Sequence, residues 1–144
     1  MSRAEEKTIE GKAPWKPLIP AVVALLFGFG AGSIISYMNY RRMGLKRKAK
    51  LSLVLLIPTF LIYVIGILFI ESNLRFFLVS GAFAVFLYTI HKRDFEKWKS
   101  RNPDTKLSSG WSGIGWGLIG FPVTFGFYIL GLATYFIVGG FIGF

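Results

Sequence analysis

Four long stretches without a charged residue constrain this chain more than anything else in it: residues 17–40, 51–70, 76–90 and 107–144. They run for 24, 20, 15 and 38 residues. A helix rises about 1.5 Å per residue, so roughly 20 apolar residues cross a hydrocarbon core of about 30 Å. Only a helix or a closed barrel satisfies its backbone polar groups inside lipid, and runs this long and continuously apolar read as helices. With 53% of its 144 residues hydrophobic and 17% charged, the chain does not compose a soluble domain. The pattern predicts an all-α membrane protein of four transmembrane helices, near residues 17–39, 51–70, 74–91 and 118–138. They form two antiparallel hairpins joined by a short outer loop at Glu71-Ser72-Asn73. Residues 17–144 make one transmembrane domain behind a polar arm of residues 1–16.

The formal charge of +10 is placed in a way that speaks against nucleic acid. Six of the 17 Lys and Arg fall at Arg41, Arg42, Lys46, Arg47, Lys48 and Lys50, and six more at Lys92, Arg93, Lys97, Lys99, Arg101 and Lys106. Both clusters abut an apolar run, as cytoplasmic loops facing anionic lipid do. The partner expected here is therefore a bilayer with anionic headgroups, touched by Arg41, Arg42, Lys46, Arg47, Lys48, Lys50, Lys92, Arg93, Lys97 and Lys99. With four straight spans, the two basic loops hold 12 Lys and Arg, against 5 in the N-terminal arm and the outer loop. That bias puts the loops around 41–50 and 92–106 in the cytoplasm and both termini outside. The arm fits this poorly, because its four cations belong inside. A re-entrant hairpin in the first or last segment would return the corresponding terminus to the cytoplasm. The arm itself lacks the short apolar stretch and cleavage site of a secretory leader, so the first segment reads as a retained span.

Within the spans, Ala24, Gly28, Gly32 and Ser36 follow one another at four-residue spacing. Such a ridge of small residues lets another backbone approach closely. Pro58 and Pro122 predict kinks, each freeing a carbonyl four residues earlier; Thr59 is a local donor for the first. Trp15, Trp98, Trp111 and Trp116 sit where interfacial anchors belong, with Phe95 beside Trp98. Ser108 or Ser109 is placed to cap the last helix. That last run is too long for one upright span, and its alternative reading is a re-entrant half-helix around residues 113–120.

Chemistry is sparse. No Asp or Glu lies in a predicted span, which argues against a proton-coupled exporter of the small multidrug-resistance type. Cysteine is absent, so disulfides and thiolate chemistry are excluded. Metal or acid–base catalysis needs several converging His, Asp or Glu groups. Only His91 and Asp94, three apart on one helix, come near that, and a surface pair explains them. The chain is read as no enzyme, without cofactor or metal.

The stretch Asn39-Tyr40-Arg41-Arg42-Met43-Gly44, following the glycines at 28 and 32, resembles a loop of small, uncharacterised bacterial multi-pass membrane proteins. Asp94-Phe95, Trp98 and Ser109-Gly110-Trp111 extend the likeness over residues 21–120. The resemblance implies the inner (plasma) membrane of a bacterium and brings no activity with it. The function expected is that of a structural or interaction component, a helix-packing accessory binding a membrane-protein partner or a second copy of itself. The alternative is a small oligomeric transporter or channel without an intramembrane carboxylate.

Overall fold

The computed structural model describes residues 12–69 and 74–142; the expected outer loop at 71–73 lies outside them. The chain is 85% helix and without strands among the described residues. Its elements are α1 (Leu18–Arg42), α2 (Lys46–Val54), α3 (Leu56–Phe69), α4 (Leu74–Arg101) and α5 (Gly110–Ile142). By length and composition, three helical stretches are apolar enough to cross a membrane: Leu18–Arg42, Lys46–Gly66 and Gly110–Val138.

The first of these does not run straight. Gly28 has φ 85° and ψ 172°, a conformation open essentially to glycine alone, and the helix breaks there. In a continuous helix Trp15 and Asn39 would stand about 36 Å apart. Instead the Trp15 N–H donates to Asn39 Oδ1 at 2.8 Å, and Asn39 Nδ2 donates to the Trp15 carbonyl at 3.3 Å. Arg42 reaches back to the Ala13 carbonyl at 3.2 Å. So α1 is a helical hairpin with its tip at Gly28. Its arms, residues 18–27 and 29–42, are about 15 and 21 Å long, and each falls short of a 30 Å hydrocarbon core.

This corrects the ridge expected from Ala24, Gly28, Gly32 and Ser36. Gly28 is the bend, which places Ala24 and Gly32 on opposite arms facing each other. A Cβ at Gly32 would sit 2.9 Å from Ala24 Cα, so the arms close only because both residues are small. Ser36 is buried farther down the second arm.

The hairpin occupies the middle of the molecule, with α2, α4 and α5 packed around it. At its tip Phe29 meets one ring from each neighbouring long helix: Tyr63 of α3 at 5.9 Å, Phe83 of α4 at 6.5 Å and Phe127 of α5 at 5.7 Å. Reversing the chain strands the first N–H groups of the second arm, since no preceding turn accepts them. Thr124 of α5 accepts one, from Ala31 N–H at 2.9 Å.

The other segments depart less from expectation. The second breaks at Leu55, ahead of Pro58, which lies in the first turn of α3. Thr59 Oγ1 donates to the Leu55 carbonyl at 2.7 Å, a neighbour of the carbonyl that Pro58 frees. α5 is one helix of 33 residues with Pro122 inside it, and no half-helix forms around 113–120. The chain reversal lies at the other end of the sequence, at Gly28.

Candidate functional site: the basic end

Closing the hairpin gathers residues 12–16, the α1–α2 turn, the end of α4 and the α4–α5 loop at one end of the molecule. A clamp built from four chain segments ties them. Arg42 is 3% exposed, lies 3.6 Å from the Trp15 ring centroid, and donates to Ser108 Oγ at 3.2 Å as well as to Ala13. Ser108 Oγ donates to the Ala13 carbonyl, and its N–H donates to the Pro14 carbonyl at 3.1 Å. Trp15 Nε1 donates to Ser112 Oγ at 2.8 Å. A guanidinium stacked on an indole and bonded to two oxygens is held in place by shape as well as charge.

Three sequence expectations change with this clamp. Trp15 is fully buried beneath Arg42 and is no interfacial anchor. Arg42 itself faces the protein interior, where it holds the arm, the α1 hairpin and the α4–α5 loop together rather than touching headgroups. Ser108, one of the two serines expected as a cap for the last helix, spends its hydroxyl on the arm.

The α1–α2 turn follows from the Asn39–Gly44 stretch. Gly44 takes φ 78°, and the N–H groups of Gly44 and Leu45 return to the carbonyls of Arg41 and Tyr40 at 3.1 and 2.9 Å. A glycine in the left-handed conformation ends a helix in just this way. Four other members also have a role: Asn39 closes the hairpin, Arg42 clamps it, Met43 enters the core with Ala49 and Trp98, and Tyr40 reaches α4.

Beside the clamp lies a second polar group. Tyr40 packs on His91 with ring centroids 4.3 Å apart, and its hydroxyl donates to Asp94 Oδ2 at 3.1 Å. Lys48 of α2 forms an ion pair with Asp94 Oδ1. His91 is fully buried, with Nδ1 donating to the Leu87 carbonyl at 3.0 Å. Asp94 and His91, three apart in sequence, are thus joined through Tyr40 rather than to each other. The described residues hold no group of three or more His, Cys, Asp or Glu able to bind a metal.

The remaining site residues divide by exposure. Lys46, Arg47, Lys48, Lys50, Lys92, Arg93 and Lys97 are exposed around the rim of this end. Arg41 is half-buried and bonds the Tyr37 hydroxyl at 2.9 Å. Lys99 folds onto the carbonyls of Pro103 and Thr105 and shapes the turn between α4 and α5. Trp98 is buried against the α1–α2 turn, with Phe95 half-buried beside it, and so does not face outward as expected. Trp111 is 82% exposed and Trp116 is 41% exposed on α5. Between α2 and α4 an open groove of about 360 Å³ is lined by Lys48, Thr89, Ile90, Arg93, Asp94 and Lys97.

Sequence reasoning missed Asn39, Arg42 and Trp15 as fold-determining groups. The available signal was an amide and a guanidinium at the end of an apolar run, with a tryptophan at its start. That pairing makes sense only if the run doubles back. No protein-family model, curated protein or solved structure matches the chain.

Proposed function

We propose that this protein is a membrane-embedded interaction component, held by three spans and one re-entrant hairpin, whose basic end rests on the anionic lipid of the cytoplasmic face. The carrying observation is the fold-back at Gly28. It brings residues 12–16, the described end of the N-terminal arm, to the end that already bears both basic loops. All Lys and Arg except Arg75 then fall on one side, where four straight spans would leave 12 against 5. A positive-inside bias this complete favours a cytoplasmic N-terminus and an external C-terminus, with α2–α3, α4 and α5 crossing. The short outer loop joining α3 to α4 stays part of this reading, as does a bacterial inner (plasma) membrane setting. The surface left for a membrane-protein partner or a second copy is α5, whose apolar window is only 11% buried. No catalytic step and no cofactor are part of this proposal.

The cysteine-free sequence makes the test direct. Thr8→Cys should resist an impermeant maleimide in intact cells, and Gly143→Cys should react. Labelling of Thr8→Cys from outside would sink the re-entrant topology and return the first segment to a span. Crosslinking followed by co-purification from native membranes then tests for the partner. Recovery of monomer alone would remove the interaction role.

A second reading, a small oligomeric transporter or channel, draws on one specific observation. The hydroxyls of Ser33, Ser36 and Ser80 are buried without a hydrogen-bond partner among the described residues, and such groups inside a bundle are costly unless used. Ion or cationic-dye flux in proteoliposomes would support it; flat traces across both would remove it.

A further inference from the structure

The geometry points to a specific site for a doubly charged phospholipid headgroup in the α2–α4 groove; it rests on the reading of the basic end as lipid-facing. Three cations line the groove, Lys48, Arg93 and Lys97, with one acid, Asp94. The acid is already satisfied, because Tyr40 donates to one carboxylate oxygen and Lys48 pairs with the other. That leaves Arg93 and Lys97, exposed and four residues apart on one face of α4, with no ion pair among the described residues. Like charges at this spacing repel and weaken a helix unless an anion lies between them. The groove therefore carries two uncompensated positive charges and suits an anion of about two negative charges. Arg supplies the planar fork that matches phosphate oxygens.

The shape argues for an amphiphile. Phe86, Ile90, Arg93 and Lys97 follow one another at spacings of four, three and four, and so form one stripe along α4. Phe86 is 44% exposed and gives this stripe an apolar flank about two turns before Arg93. A phosphate at Arg93 and Lys97 would lay its acyl chains along that flank. A soluble phosphate would use the charges and leave the flank uncovered.

The test uses the full chain in nanodiscs of phosphatidylcholine doped with either cardiolipin, which carries two phosphates, or phosphatidylglycerol, which carries one, at matched total charge. Retained lipid is read by native mass spectrometry. The wild type should prefer cardiolipin. Arg93→Gln with Lys97→Gln should weaken that preference by about tenfold or more, since each surface cation contributes appreciably to anionic-lipid binding. Arg101→Gln with Lys106→Gln removes the same charge outside the groove and should leave the preference within about twofold. All four side chains are exposed, and an unchanged unfolding midpoint verifies that each double variant folds. Equal loss in both double variants would overturn the groove while leaving the basic end as a diffuse lipid contact. No anionic preference in the wild type would overturn both. Displacement of cardiolipin by sodium pyrophosphate at similar concentration would overturn the lipid assignment in favour of a soluble ligand.

Discussion

The first and last apolar segments are both uncharged, both glycine-bearing and both long enough to cross a bilayer, yet they fold in opposite ways. α1 breaks at Gly28 and returns, burying 61% of its most apolar window; α5 runs unbroken through Pro122 and buries 11% of its own. Glycine number does not separate them, for α5 has more. The polar groups at the segment ends do. α1 is bracketed by Trp15 and Asn39, which bond only when the arms meet, and Arg42 with Ser108 locks the closure. Among the described residues α5 has no such pair, and its glycines at 113, 117 and 120 serve as flat ground for α1 and Trp15. A Cβ at Gly113 would lie 3.3 Å from the Trp15 ring, one at Gly117 2.7 Å from a Val23 methyl, and one at Gly120 3.1 Å from Ala31 Cα. One segment's glycine bends a chain, and the other's admit the bent chain.

The strongest way to break this contrast is at the bend. Gly28→Val places a β-branched residue at φ 85°, ψ 172°, a strain of about 1–3 kcal/mol before any clash. The hairpin should lose stability or open into a straight span, exposing Thr8→Cys to external maleimide. An N-terminus still protected, with an unchanged unfolding midpoint in detergent, would mean that Gly28 is not the hinge.

Removing the lock should cost less and leave the hinge intact. Asn39→Leu strands the buried N–H and C=O of Trp15, at about 1–3 kcal/mol for each unsatisfied group. Thr134→Val on α5 removes a hydroxyl bonded only to its own helix at Leu130 and should shift stability by less than about 0.5 kcal/mol. Similar losses in the two variants would erase the distinction between a closing amide and an ordinary helical threonine. Gly117→Ala probes the receiving surface. Its methyl would meet both Val23 methyls and the Phe27 ring, an overpacking of about 1–3 kcal/mol. Val23→Ala in the same chain should recover much of it, and failure to do so would place the crowding elsewhere.

Much of this fold was legible in the sequence. Uncharged runs of 15 to 38 residues announced long apolar helices, three of them suited to cross a membrane. The reversal was not legible from periodicity, because a bent helix and a straight one share the same residues. Ala24, Gly28, Gly32 and Ser36 are evenly spaced in either case, and only the tertiary bonds of Trp15 and Asn39 tell a ridge from a hairpin. Charge gave the missing hint, since four cations in the arm fit the outer face poorly. At the basic end, exposure sorted residues that look alike in sequence. Arg42 and Trp98 turn inward, whereas Arg93 and Lys97 stay free, because the clamp and the α1–α2 turn take the first two as packing partners. Two arginines beside apolar runs cannot declare such different fates before the chain closes.

The smallest expected effect sharpens the contrast from the open side of α5. A Cβ at Gly126 meets no atom within 4 Å, although the residue lies in a helix interior, where alanine outperforms glycine by about 0.5–1 kcal/mol. Gly126→Ala should therefore raise the unfolding midpoint slightly or leave it alone, in direct opposition to Gly117→Ala nine residues earlier. The sign is informative because the two glycines share one helix and differ only in what faces them. If Gly126→Ala destabilises the protein, and does so more at high protein-to-detergent ratio than at low, the open face is covered in the membrane by a second copy of the chain. Concentration-independent destabilisation would instead show that α5 sits closer to α3 than the open space at Gly126 allows.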